Sequence, residues 1–537
     1  MSAGSPLHEV PVELWLRISA ELKTEDLNAL RLTCRTIESC LFLAYAREFF
    51  SKKQFMLTEH SLQTLIDISN SRLAEHLKHV IIGLDRYSDR DFANPIQQTI
   101  YREGFQGQQA LIWSGRAAHM LTTAFRNLKP TTIGIRDYNS DGRRSRDGSN
   151  ARWASYGATT VMNQTGVNIM TDSPSRFASG RDIAPYWPSQ VFSLVLTALG
   201  AAEARPQSIE VLRRHRGVLR PISFYLPGFS YPTVVPVLRN LTTLFLALDL
   251  EIGATRSCHY VPASGGGSTG SAGADGPSHN VNVNGARGQD LEKCPDFPLR
   301  LFVAHLSNLK HLRINFQNNP VGPGPTSFLQ WLGSPAPTPT PTPTCLDAQL
   351  SALAYAPAVD PATNLPRTID PVGLPALEQL DLGHMRVCPS MFIRILRKFA
   401  PTLKRVELWR VVLQQRDLAH VYFHEKPPPN LWVQLLKKMR ALPLQLEHVM
   451  IGQPMQDTPG ILSCVVNFKS LVAQADEGRR AVPDVRAYTG MDWKRFVEEL
   501  EGDLEIQTAP PRVAVTASPV DTGNSASESS GEESEEE

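Results

Sequence analysis

A chain of 537 residues, 42% apolar and 20% charged, can bury a large core and exceeds one ordinary domain. Its net charge of +1 hides an acidic end: residues 521–537 hold seven carboxylates and no base, leaving 54 bases against 46 acids, or +8, in the rest. That modest excess argues against a dedicated nucleic-acid binder. The absence of any long apolar run or leader-like N-terminus argues against a membrane span or a signal peptide.

The first expected elements are three short helices within Val10–Ala44. Pro11 sits where a helix begins, a position that tolerates its missing N–H. Leu14, Ile18 and Leu22 then repeat at a spacing of four, with Trp15 and Leu16 off that stripe. A helix apolar on more than one face asks for a partner on the second. On this reading Leu14→Asp places an unpaired charge in a buried position. Thr24 is the expected cap of a second helix carrying Leu27, Leu30 and Cys34, and Ile37, Cys40, Leu41 and Ala44 mark a third.

This stretch resembles an F-box, as found at the N-terminus of many fungal proteins. The matching features are Val10-Pro11, Glu13-Leu14, Ile18, Leu22, the turn Thr24-Glu25-Asp26-Leu27, and the run Leu30-Arg31-Leu32-Thr33-Cys34-Arg35. Ile37 departs from the larger residue common there, and Val10 replaces the usual Leu. The resemblance covers residues 8–48. It implies a domain that docks on a Skp-family adaptor and so onto a cullin ubiquitin ligase. Pro11, Leu14, Trp15, Ile18, Leu22, Leu27, Leu30 and Cys34 are the implied adaptor contacts.

Beyond it one pattern returns, L-x-x-L-x-x-L-x-L. The best copies are Leu238/Leu241/Leu244/Leu246, Leu306/Leu309/Leu312/Ile314 and Leu374/Leu377/Leu380/Leu382. Weaker copies are Ala74/Leu77/Val80/Ile82, Phe125/Leu128/Thr131/Ile133, Ala400/Leu403/Val406/Leu408 and Pro443/Leu446/Val449/Ile451, with a fragment at Ile209 and Val211. Spacing of three is helical and spacing of two is a strand, so each copy reads as a helix end followed by a strand. Helical spacing also marks Ala117–Leu128, Pro188–Ala201, Met391–Phe399 and Leu431–Met439. Such units must stack to bury their faces. The pattern resembles leucine-rich repeats, irregular in length. Residues standing between the inward pairs would form the concave surface: Phe245, Arg313, Asp381, Glu407 and Met450, the candidate contacts to a protein substrate.

Residues 253–292, rich in Gly and Ser, and 319–370, with its Pro/Thr run, read as disordered insertions, and 511–537 as a disordered acidic tail. They divide the repeats into 55–252, 293–318 and 371–455. A capping region, 456–510, follows, in which Trp493, Phe496, Val497 and Leu500 share a helix face. The fold class expected is therefore α/β: a small three-helix F-box followed by an irregular leucine-rich-repeat-like solenoid.

No motif points to chemistry. Gly265, Gly267 and Gly270 match a dinucleotide fingerprint only on paper, with no strand before or helix after. Cys258, His259 and Cys294 lack zinc spacing. The seven cysteines, without any C-x-x-C pair, suit a reducing compartment, cytoplasmic or nuclear. Arg213-Arg214-His215-Arg216, with Arg220, is the densest basic cluster and could meet an acidic or phosphorylated partner. The expected function is substrate recognition for a Skp–cullin–F-box ubiquitin ligase, without catalytic residues, cofactor or metal. The alternative is an interaction scaffold that acts outside ubiquitination.

Overall fold

The computed structural model describes residues 10–88, 92–138, 144–148, 154–169, 186–214, 218–250, 296–316, 324–336, 369–414, 429–458, 461–471 and 484–507. The insertion expected at 253–292, most of that at 319–370, and the tail at 511–537 lie outside these residues, as do Cys258, His259 and Cys294.

Three helices open the chain: α1 (Val12–Glu21), α2 (Thr24–Thr33) and α3 (Arg35–Phe50). Trp15, Leu27, Ile37, Leu41 and Phe49 form their shared core, with Leu22, Leu30 and Cys34 packed at its margin. Cys34 is extended and its Sγ accepts the Ile37 N–H, so it caps α3. Thr24 does not cap α2. It is the first helical residue, and a distant carboxylate takes the capping role: Asp147 accepts from Thr24 N at 2.8 Å and from Thr24 Oγ1 at 2.6 Å. Arg146 completes the clamp. Its Nη1 donates to the Ser19 and Leu22 carbonyls at the end of α1, and its guanidinium pairs with Glu48 on α3 at 2.6 Å.

The chain passes from α3 into β1 (Lys52–Met56), the edge of a ten-stranded sheet. Then come α4 (Glu59–Ser69), β2 (His79–Gly83), α5 (Pro95–Trp113), α6 (Arg116–Leu128), β3 (Thr132–Arg136), α7 (Arg144–Asp147), α8 (Ala158–Thr165), α9 (Trp187–Ala201) and β4 (Ser208–Leu212). The middle of the chain supplies α10 (Tyr231–Asn240), β5 (Thr243–Leu248), α11 (Phe297–Ala304), β6 (His311–Phe316) and α12 (Gly324–Leu332). It continues with β7 (Gln379–Gly383), β8 (Arg386–Val387), α13 (Pro389–Phe399), β9 (Arg405–Trp409), β10 (Val412–Leu413), α14 (Leu431–Arg440) and β11 (His448–Gly452). The last elements are β12 (Met455–Thr458), β13 (Ile461–Phe468), β14 (Val485–Thr489), α15 (Trp493–Asp503) and β15 (Leu504–Ile506).

The large sheet runs β1-β2-β3-β4-β5-β6-β7-β9-β11-β14, parallel throughout except for β14. A parallel neighbour requires a crossover, and the helices between strands supply it. Helices pack on one face in chain order, α4 on α6, α6 on α9 and α9 on α10, then α12 on α13, α13 on α14 and α14 on α15. Beneath them the inward residues line up in register: Val80, Ile133, Ile209, Leu244, Leu312, Leu380, Val406 and Val449. All lie in one continuous core. Each buried Leu, Ile or Val contributes about 1.5–3 kcal/mol relative to exposure.

The chain is thus mixed α/β with a large parallel sheet. The strand expected from Thr131 and Ile133 is displaced by two residues, because Lys129 and Pro130 separate it from α6, and Ile133 and Ile135 are the inward pair. After β7, β9 and β11 the chain turns through a left-handed residue each time: His384, Arg410 and Gln453, with φ of 52°, 51° and 47°. Each turn leads into a short strand of a second sheet, ordered β15-β13-β12-β10-β8.

Candidate functional site

Two surfaces stand out, one on the helical unit and one on the sheet face away from the helices. On α1 the buried stripe is Trp15 and Ser19, and the hydroxyl of Ser19 is satisfied by the Leu16 carbonyl at 2.8 Å. Leu14 and Ile18, two of the implied adaptor contacts, are 48% and 45% exposed. Val12 and Leu16 are exposed on the other side of that stripe. An apolar surface therefore flanks the buried stripe on both sides. Leu14→Asp does not bury a charge in this chain. Trp15 and Leu27, at 4% and 3% exposed, are buried inside the unit. Pro11 is exposed; Leu22, Leu30 and Cys34 are half-buried.

On the sheet, the five residues expected to share a surface do so. Phe245, Arg313, Asp381, Glu407 and Met450 are direct cross-strand neighbours in one row, and Glu210 of β4 precedes them. They differ in what they have left to offer. Asp381 is 5% exposed, and its Oδ2 lies 2.7 Å from His311 Nε2 while Gln379 Nε2 donates to its Oδ1 at 3.1 Å. Glu407 lies 3.5 Å from His448 Nε2, which holds Thr489 through its other ring nitrogen. Burial, and then the Asp381 carboxylate, pushes the Glu407 carboxyl above its ordinary value, against the pull of His448. Arg313 has no carboxylate within ion-pair distance among the described residues; its guanidinium lies 5.8 Å from the Phe245 ring centre.

At the downstream ends of these strands the open face deepens into a cavity of about 440 Å³. Arg213 and Arg214 follow β4, Arg313 and Asn315 come from β6, and His384 and Arg410 occupy the left-handed turns. Tyr138, Phe245 and Phe316 complete the wall. Asp137 holds Arg213 at 3.2 Å and accepts the Arg214 N–H at 2.9 Å. The Arg214 guanidinium lies over Tyr138, 4.3 Å from the ring centre. Burial, followed by the charges of Arg410 and Arg313, pushes His384 below its ordinary value, so both guanidiniums act on one imidazole.

Sequence reasoning placed Arg213 and Arg214 in a basic cluster but did not connect them to Arg313, Arg410 or His384. The usable signal was a constant offset. Residues two before the central row share its face, which gives His311, Gln379 and His448. Arg220 is spent elsewhere, near Asp249 and over Tyr186. Among the described residues no helix is long and apolar enough to cross a membrane. No protein-family model and no curated protein matches the chain.

Proposed function

We propose that this protein recruits substrates to a Skp–cullin–F-box ubiquitin ligase for ubiquitin-dependent degradation. The three N-terminal helices are read as an F-box that docks on a Skp-family adaptor. The body is read as an irregular leucine-rich-repeat-like solenoid whose open sheet face holds a protein substrate. The mechanism is proximity: the chain holds a target near a transferred ubiquitin and makes or breaks no bond itself.

The observation that carries the reading is the exposed apolar surface of α1. Val12, Leu14, Leu16 and Ile18 stay accessible although the unit has a formed core of its own beneath them. A small helical unit gains nothing in solution from such a surface, whereas an adaptor would cover it. The test uses the full-length chain and a purified Skp-family adaptor, with Leu14→Asp/Ile18→Asp as the variant. Wild type should bind and the double variant should not, while both melt at the same temperature. Absence of wild-type binding, or full binding by the variant, defeats the proposal. Co-purification with a cullin separates a ligase subunit from a scaffold using the same adaptor.

A further inference from the structure

We propose that the arginine-lined cavity at the downstream rim of the open sheet face is a binding site for a phosphate monoester. This rests on the reading of that face as a recognition surface and narrows what the surface recognises.

Charge comes first. Four arginines, Arg213, Arg214, Arg313 and Arg410, line one cavity, and no carboxylate residue lines it among the described residues. Asp137 pairs with Arg213; Arg214, Arg313 and Arg410 form no ion pair among the described residues. Gathering like charges around a cavity costs stability unless an anion joins them. Burial first, and then the charges of Arg410 and Arg313, push His384 below its ordinary value, so these two arginines act on a group at the same cavity.

Donor supply comes second. Arg213 has a side chain 5% exposed, and its Nε and Nη1 have no hydrogen-bond partner. The Asp381 carboxylate, the direct cross-strand neighbour of Arg313, is occupied by His311 and Gln379. Arg313 forms no ion pair with that acid. Guanidiniums match oxyanions in forked pairs, and several together offer more donors than a single carboxylate accepts. A phosphate ester, with three terminal oxygens and close to two charges, suits them better.

Size and surroundings set the class. The volume falls in the ordinary range of ligand clefts, roughly 300–1,000 Å³, and exceeds what a bare anion needs. Phe245 and Phe316 give it an apolar wall for the group that carries the phosphate. A nucleic-acid strand fits poorly, because Glu210, Asp381 and Glu407 stand in the adjacent row and would repel a continuous phosphate backbone.

The experiment titrates the full-length chain, without adaptor, with three probes: inorganic phosphate, N-acetyl-phosphoserine amide, and a degenerate peptide pool with one fixed phosphoserine. The unphosphorylated pool is the control. The readouts are calorimetric affinity and the His384 ring signals by NMR. Phosphorylated probes should bind, raise the His384 pKa, and weaken as salt is added. Arg214→Ala and Arg410→Ala, both exposed, should each weaken binding about tenfold or more without changing the melting temperature. Tighter binding of the peptide pool than of the small probes identifies a phosphorylated protein segment as the source. Equal affinities identify a small organic phosphate, and the site stands in both cases. Binding that is absent, or unaffected by the two substitutions together, overturns the proposal. Because no adaptor is present, loss of adaptor binding in the separate test above leaves this result untouched, and failure here leaves that reading in place.

Discussion

His311 Nε2 lies 2.7 Å from Asp381 Oδ2, reaching diagonally across two parallel strands. The residue directly opposite Asp381 is Arg313, and the histidine takes the carboxylate that this arginine would otherwise hold. One side-chain choice on β6 thus divides the row into a satisfied acid and an available base.

Removing that histidine should therefore change the neighbouring arginine. In His311→Ala the Asp381 carboxylate loses its shortest partner and is free to pair with Arg313. Phosphoserine affinity should fall severalfold although His311 does not line the cavity. Calorimetry on the variant checks this, and unchanged affinity would show that Asp381 does not compete for Arg313.

The candidate residues of the row should separate by what they do. Asp381 is buried with His311 and Gln379, so Asp381→Ala strands two polar partners and should cost about 1–3 kcal/mol of stability. Arg313→Ala removes no ion pair and should stay within about 1 kcal/mol of wild type. Urea unfolding of both variants gives the comparison, and equal destabilisation would contradict it.

Much of this arrangement was legible in sequence, for a physical reason. Inward pairs such as Leu312/Ile314 and Leu380/Leu382 alternate with outward residues, so fixing the pair fixes the face of Arg313 and Asp381. The diagonal contact was not legible, because it depends on rotamers across strands 68 residues or so apart in sequence. Strand β1 was missed because Lys52–Met56 lacks a preceding Leu spacing, and the second sheet because β8 and β10 are two residues each. On α1, Trp15 and Ser19 share helical spacing as Leu14 and Ile18 do, and a serine conceals the buried stripe.

A buried acid gives the stability a pH dependence of known sign. Asp85 lies beneath the end of β2, where its Oδ2 accepts from Ser155 Oγ and its Oδ1 has no hydrogen-bond partner. Gly83 cannot carry a side chain there, since a Cβ would stand 2.2 Å from that carboxylate. Burial pushes the Asp85 pKa up to about 6 from 3.8. The native state then holds the proton more tightly than the unfolded chain. The resulting stability is fully present below pH ~4 and is lost as pH rises through ~6, a change of about 3 kcal/mol. Asp85→Asn should therefore gain on wild type progressively from pH 4 to 7. Urea titrations across that range measure the difference, and a constant difference would rule the mechanism out.

Two residues of α7, Arg146 and Asp147, hold the helical unit together. Asp147 caps α2 and Arg146 satisfies the last carbonyls of α1 while pairing with Glu48. Asp147→Ala should cost about 1 kcal/mol, the usual worth of an N-cap, and Arg146→Ala a similar amount. Amide hydrogen exchange should quicken in α1 and α2 and stay unchanged in β5 to β7. Uniform quickening would mean that the clamp supports the whole fold.

The two faces of α1 allow binding to be separated from folding. Trp15 shares the core of the unit with Leu27, Ile37, Leu41 and Phe49, so Trp15→Ala opens a cavity among three helices and should cost about 3–5 kcal/mol, within reach of unfolding the unit. Leu14 and Ile18 lie beside that stripe with nearly half their surface in water, so a carboxylate at either position stays hydrated and stability should move by no more than about 0.5 kcal/mol. Adaptor affinity should respond in the opposite proportion. A charge at Leu14 or Ile18 would be stripped of water in the complex, while the loss of Trp15 acts through the shape of the unit. Hydrogen exchange over α1–α3 combined with adaptor titration distinguishes the cases. If Leu14→Asp unfolds the three helices, the exposed face described here is wrong. If it leaves both fold and adaptor affinity intact, the adaptor sits elsewhere.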